Sequence, residues 1–218
     1  MNGNLPNTTK NLVSVVGKFD REFDFSHEYY GEGFYKTNLL VDRLNETNDR
    51  IPVMVSDRLL DMDSCYAGKY IFLDGEFRSY NIKEEDQAPK KHQLMVFAHD
   101  IRIVPGDEVK KISREYNIYI EGFLCRPPVY RVTPQGREIT ELMLSVQRRY
   151  GKSDYIPCIC WGRNARYAAG FHMGDKVSVN GRIQSRDYTS RSREREGEKI
   201  TVNEVSVKRI SRAGSDDQ

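Results

Sequence analysis

YGKSDYIPCICWGRNARYAAGFHMGDKVSVNGRIQSRDY, residues 150–188, decides how this chain folds. Tyr155-Ile156-Pro157-Cys158-Ile159-Cys160-Trp161 reads as a strand, on which successive side chains point to opposite faces. Tyr155, Ile159 and Trp161 then share one face and Ile156, Cys158 and Cys160 the other. Six residues at about 3.3 Å each separate the two aromatic rings by about 20 Å along the strand. An Ala-rich segment, residues 164–171, follows with helical propensity. A turn at Gly174-Asp175 leads into a second strand, residues 176–186. That strand alternates Val177, Val179, Gly181 and Ile183 against Lys176, Ser178, Asn180, Arg182 and Gln184. Aromatic rings and cations thus fall on one side of a sheet whose other side is apolar. Such a surface can stack planar bases and neutralise phosphates.

Composition narrows the classes. The 218 residues are 38% hydrophobic and 30% charged, with 13 Tyr and 8 Pro, a strand-leaning globular profile long enough for two small domains. No run of about 18 apolar residues is present, so no membrane span is expected. Residues 1–10 are polar and lack the apolar core of a secretory signal, which makes a cytoplasmic protein the default. The four cysteines, Cys65, Cys125, Cys158 and Cys160, lack the paired spacing of a zinc site, and Cys158-x-Cys160 falls on the inward face of a strand. No metal and no cofactor is expected. His27, His92, His99 and His172 are scattered, no phosphate-binding glycine loop occurs, and nothing marks an enzyme; a nuclease is the catalytic reading to exclude. Charge is uneven. Residues 1–110 carry 14 Lys+Arg and 19 Asp+Glu, a net of −5, and residues 111–218 carry 20 and 13, a net of +7. The half with the Tyr/Trp strand is the half suited to a polyanion.

Taken in order, the first half gives β-rich segments at residues 11–24, 34–41, 51–55, 69–82 and 92–104, with a short helix expected within 57–67. Five strands with a helix between the third and fourth is the order of an OB-fold barrel. The second half repeats it at residues 117–130, 138–146, 155–161, 174–188 and 199–210. Gly17 and Gly122, and Pro52 and Pro157, are 105 apart, while Gly68 and Gly174, and Gly75 and Gly181, are 106 apart. A constant offset is the signature of duplication. The expected fold is all-β: two tandem five-stranded Greek-key OB barrels, each with a short helix between strands three and four. The expected organisation is a loose tail at 1–10, an acidic N-terminal OB domain at 11–108, a linker at 109–115, a basic aromatic OB domain at 116–211, and a short tail at 212–218.

The second half resembles the bacterial single-stranded DNA-binding protein family (SSB). Asn117-Ile118-Tyr119-Ile120-Glu121-Gly122-Phe123-Leu124 with Pro127-Pro128-Val129-Tyr130-Arg131 resembles the family's first strand and its following turn. Leu144 to Tyr150 is similar to the second strand, Tyr155 to Arg163 with Gly174 to Tyr188 to the most characteristic block, and Thr201 to Val205 to the last strand. The likeness covers about residues 116–210. It implies base stacking on Tyr150, Tyr155, Trp161 and Tyr188. Phosphate contacts are expected from Arg148, Arg149, Lys152, Arg163, Arg166, Arg182, Arg186 and Arg191, the last two on the loop between strands four and five. In the first half the positions matching Tyr155 and Trp161 hold Arg50 and Ser56, and Tyr80 falls near the counterpart of Tyr188, so the acidic barrel is expected to be mainly structural.

The resemblance further implies sequence-independent binding of single-stranded DNA in replication, recombination or repair, in the cytoplasm at the nucleoid. Single-barrel members form tetramers, so two barrels per chain imply a homodimer with four. The family resemblance implies replication and repair proteins as partners, but the chain ends Ser215-Asp216-Asp217-Gln218 without the family's acidic Asp-Asp-hydrophobic-Pro-Phe tip, which puts recruitment by that route in doubt. Two other readings remain: an OB module that binds a protein of a replication or transfer complex, and single-stranded RNA binding.

Overall fold

The computed structural model describes residues 9–20, 23–43, 47–82, 91–112, 117–148, 150–189 and 199–212. Among these described residues twelve strands and two short helices follow one another: β1 (Lys10–Phe19), β2 (Asp24–Tyr29), β3 (Glu32–Asp42), β4 (Asn48–Ser56), β5 (Tyr70–Ile82), β6 (Lys91–Val104), α1 (Val109–Ile112), β7 (Ile118–Leu124), β8 (Val129–Val132), β9 (Glu138–Gln147), β10 (Ser153–Trp161), α2 (Arg163–Ala168), β11 (Lys176–Thr189) and β12 (Lys199–Arg212). They form two compact units. The N-terminal unit is Val13–Asn117 with Ile183–Glu204, and the C-terminal unit is Met1–Leu12 with Ile118–Arg182 and Val205–Gln218.

In the N-terminal unit β1 pairs with β5, β5 with β6, β6 with β4, β4 with β3, and β3 closes back onto β1. Only the β4–β6 pair is parallel. In the C-terminal unit the order is β7, β11, β12, β10, β9, again closing onto β7, with β10–β12 the parallel pair. Each is a closed five-stranded OB barrel. Each also has a sixth strand beyond the expected five, β2 paired outside β3 and β8 outside β9.

The alternation read in the sequence is the barrel's inside and outside. Val13, Val15, Leu39, Ile51, Val53, Ile71, Leu73, Phe77 and Val96 fill the N-terminal unit, and Ile118, Ile120, Leu124, Leu142, Leu144, Ile156, Cys160, Val177 and Val179 the C-terminal one, all at most 3% exposed. Each such side chain gains about 1.5–3 kcal/mol from burial. Burial alone pushes the Cys160 thiol up to about 12. Both Cys158 and Cys160 are buried, as small hydrophobes.

The repeated landmarks have repeated jobs. A Cβ on Gly17 would meet the Leu40 carbonyl oxygen at 2.5 Å, and one on Gly122 the Ser145 carbonyl oxygen at 2.8 Å. Gly75 and Gly181 face the Phe97 and Ser206 carbonyls at closer range still. A side chain at any of the four would push the crossing strand away. Gly68 and Gly174 both have positive φ, 75° and 92°, which only glycine adopts without strain. A further pair at the same offset was not singled out in the sequence. Arg43 binds the buried Asp49, and Arg148 binds the buried Asp154 through two nitrogens, Nε at 2.8 Å. The Asp49 partner holds the Arg43 guanidinium more firmly protonated than usual.

Two expectations change. The helix exists only in the C-terminal unit. There Ala165 and Ala168 are wholly buried, and the Thr140 hydroxyl donates to the Ala165 carbonyl at 2.7 Å, fixing α2 to β9. Residues 57–69 of the N-terminal unit are turns instead. Asp61 accepts hydrogen bonds from the Asp63 N–H and the Ser64 hydroxyl, a local closure that competes with a helix. The segment read as a linker begins with the single helical turn α1. No helix among the described residues is long and apolar enough to cross a membrane.

Candidate nucleic-acid interface

β10 provides the site's axis. Tyr155 and Trp161 point outward and are 57% and 38% exposed, while Ile156, Cys158 and Cys160 point into the core. Ile159 shares the outward parity yet is covered, so the two rings stand apart with Pro157 half-buried between them. Antiparallel partners share a face, so the register extends the surface sideways. Tyr155 is opposite Ser145 of β9, Ser145 opposite Phe123 of β7, and Phe123 opposite Lys176 of β11. The Lys176 ammonium lies 5.9 Å from the Phe123 ring centre. At the other end Trp161 is opposite Ile139, and Ile139 opposite Arg131 of β8. Phe123, Lys176 and Arg131 were not among the expected contacts. The alternation of Tyr119, Glu121 and Phe123 against Ile118, Ile120 and Leu124 marks Phe123 as outward, whereas its nearness to Tyr155 depends on barrel closure.

The expected residues divide into groups. Tyr150 is in the turn between β9 and β10 and is 95% exposed. Lys152, in the same turn, and Arg163, at the start of α2, are exposed and form no ion pair with another described residue. Arg166 is exposed but engaged by Glu138 at 3.1 Å. Arg148 is directed at Asp154, its side chain 25% exposed, so a structural partner already claims its charge. Arg182 is half-buried on β11. Arg186 falls in the N-terminal unit, where its Nε is 3.3 Å from Glu204. The backbone of Tyr188 is in β11; its side chain, and all of Arg149 and Arg191, lie outside the described residues.

The face is neutralised at its edges. Arg131 pairs with Glu141, and the Tyr130 hydroxyl donates to Glu138 at 2.6 Å, which raises the Tyr130 pKa. On β7 the Tyr119 hydroxyl donates to Glu121. Burial, then that carboxylate, pushes Tyr119 up to about 12. Burial works against the charge of Glu121, but Tyr119, Lys10 and Lys176 together hold its pKa below the usual range. What remains for a ligand is a lane of Tyr150, Tyr155 and Trp161 flanked by Phe123, Lys152 and Arg163. No group of three or more described His, Cys, Asp or Glu residues is placed to hold a metal ion.

Two closed barrels with a parallel third–fifth strand pair define an OB-fold protein, and the exposed aromatic lane is on the second barrel. Residues 116–212 match the model of the single-strand binding protein family. Among relatives, single-stranded DNA-binding protein 1 of Lactococcus lactis is 32% identical over 96 residues, covering 41% of this chain and 61% of that protein. The single-stranded DNA-binding protein of Thermus thermophilus is 29% identical over 150 residues, covering 61% of this chain and 54% of that one. The chain thus spans little more than half the length of the curated relatives it matches. The wild-type single-stranded DNA binding protein of Thermus aquaticus superposes with a TM-score of 0.72 at 22% identity, over 97% of this chain and 96% of that chain. At that identity the likeness fixes the fold.

Proposed function

We propose that this chain binds single-stranded DNA without sequence preference, as a non-enzymatic protein of replication, recombination or repair. The observation that carries the reading is the outward, solvent-facing placement of Tyr155 and Trp161 on one strand, in the barrel that also exposes Lys152 and Arg163, neither of them ion-paired with another described residue. Aromatic rings interact with any base, and each stacked base contributes about 1–3 kcal/mol. Cations release counterions from the strand, so affinity falls with salt by about 0.7 log units per decade for each phosphate neutralised. The proposed contacts are Tyr150, Tyr155 and Trp161, with Tyr188 joining on the family resemblance. Lys152, Arg163 and Arg166 are the phosphate partners, with Arg149, Arg182, Arg186 and Arg191 in support. Arg148 serves the fold first.

The test is the fluorescence of Trp161, the only tryptophan, titrated with oligo-dT and with matched duplex at two salt concentrations. Quenching by the single strand alone, weakened by salt, is expected. Quenching by neither ligand ends the reading and favours the protein-binding module. Equal competition by oligo-U would widen the substrate to RNA. The proposed assembly is a homodimer with four barrels in the cytoplasm, and light scattering that returns the mass of one chain rejects it.

A further inference from the structure

The β2–β3 hairpin of the N-terminal unit has two faces of opposite character. One carries His27 and Phe34, stacked with centroids 4.9 Å apart, and continues through Tyr80 of β5 to Phe97 of β6. The strand register fixes the other. Phe25 of β2 is opposite Tyr35 of β3, and Glu28 is opposite Gly33. Gly33 and Tyr35 are two residues apart on one strand and so share a side. Phe25 and Glu28 are three apart, which on a regular strand would set them on opposite sides. The bulge between Phe25 and His27 restores them to one side.

Glycine makes a notch on this second face. A Cβ on Gly33 would meet Oδ2 of Asp57 at 2.7 Å and the Tyr35 ring at 3.1 Å, so the missing side chain leaves a hollow walled by a carboxylate and an aromatic ring. Asp57 follows the end of β4 and is tied to Gly33 twice. Its Oδ2 accepts the Gly33 N–H at 2.9 Å, and its own N–H donates to the Gly33 carbonyl at 3.0 Å. Phe25 meets the Tyr35 ring edge-on at 5.5 Å and is 63% exposed. The wall is thus held in place by backbone bonds before any ligand arrives.

Charge decides what fits. Glu28 and Asp57 are exposed, and neither is ion-paired with another described residue. The neighbouring cations serve the other face: Arg58 is directed at Glu32 at 3.3 Å, and Lys36 is 5.3 Å from the Tyr80 ring centre. Two carboxylates repel a phosphate, so this side of the hairpin does not suit a nucleic acid. No group of three or more described His, Cys, Asp or Glu residues is gathered for a metal ion. A guanidinium meets both kinds of wall. Its plane stacks on an aromatic ring while its paired N–H groups engage a carboxylate, which a compact ammonium does less well.

We propose that Phe25, Glu28, Gly33, Tyr35 and Asp57 form a docking notch for an arginine side chain on a basic segment of a partner protein. The notch stands apart from the single-strand reading, on a different face and with the opposite charge preference. The test uses the full chain and a short, labelled glycine-serine peptide carrying two arginines, followed by fluorescence anisotropy. Glu28→Gln combined with Asp57→Asn removes both charges and keeps the shape, because the asparagine oxygen still accepts the Gly33 N–H. That variant is expected to bind the peptide about tenfold more weakly or worse, with its melting temperature and its Trp161 quenching by oligo-dT as in the wild type. A peptide with citrulline in place of arginine is expected not to bind. Asp107→Asn combined with Glu108→Gln removes the same charge elsewhere on the unit and is expected to leave peptide binding unchanged. Failure of the wild type to bind the arginine peptide, equal affinity of the two charge variants, or equal binding of the citrulline peptide overturns the proposal. A lower mass by light scattering for the Glu28/Asp57 variant overturns it too, since a second copy of this chain would then fill the notch. Loss of Trp161 quenching in the wild type would end the single-strand reading and leave this inference standing.

Discussion

The two barrels share one scaffold and differ in where they put their aromatic side chains. The C-terminal barrel keeps Tyr155 and Trp161 on its third strand, outward and well apart. The N-terminal barrel has Arg50 and Ser56 at those positions and assembles its rings on β2, β3, β5 and β6. Arg50 there is engaged by Asp20. What is held constant is the scaffold: four glycine or proline pairs at offsets of 105 and 106, and the Arg43–Asp49 and Arg148–Asp154 pairs. Closure tolerates little change because strands cross within van der Waals contact, whereas an outward side chain can move to a neighbouring strand without disturbing the core.

The comparison breaks most sharply at the ion pairs. Arg148→Ala leaves Asp154 buried and without its two guanidinium bonds, and Arg43→Ala does the same to Asp49, although the Ser185 N–H at 2.8 Å still reaches Asp49. Removing one partner of a buried pair costs about 3–5 kcal/mol. Chemical denaturation is expected to show a comparable loss in both variants, and a large loss in only one would refute the shared role. Gly17→Ala and Gly122→Ala are expected to cost about 1–3 kcal/mol each by overpacking against a strand carbonyl. A loss in only one barrel would mean the two closures are not equivalent.

Function separates the barrels next. Trp161→Ala is expected to weaken oligo-dT binding by about 1–3 kcal/mol, roughly 5- to 150-fold, with an unchanged melting temperature. Ser56→Ala is expected to leave binding as it was. The smallest effect concerns acid. Asp175, half-buried, accepts the His172 N–H at 2.8 Å and pairs with Arg212 at 2.7 Å, and its pKa is lowered, first by that N–H and then by Arg212. A lowered native pKa means its contribution is present above the ordinary carboxylate range, near pH 4, and fades as pH falls through the native value. The N-terminal barrel has Lys69 at the matching turn. Asp175→Asn is therefore expected to make the melting temperature less pH-dependent below about pH 4; an unaltered profile would show that the turn plays no part.

Much of this was legible in the residues. The inward faces of β7, β10 and β11 follow period two because one side of each strand meets a core, and Tyr155 and Trp161 follow as outward by the same parity. The extra strands β2 and β8 were not legible. They are short and largely exposed, so no apolar alternation marks them. The helix expected in residues 57–67 failed because hydrogen bonds accepted by the Asp61 carboxylate outcompete helical ones over so short a span.

Sequence by itself determined the all-β class, the duplication, the core faces and the outward rings of β10, because each depends on local alternation or on glycines whose constraint is intrinsic to the backbone. Tertiary structure alone decided which strands became neighbours. That pairing committed Arg148 to Asp154 rather than to a ligand, brought Phe123 beside Tyr155, and lined up His27, Phe34, Tyr80 and Phe97 from four strands on one surface. Such contacts join residues up to about 70 positions apart. Their proximity comes from barrel closure, and no local pattern encodes it.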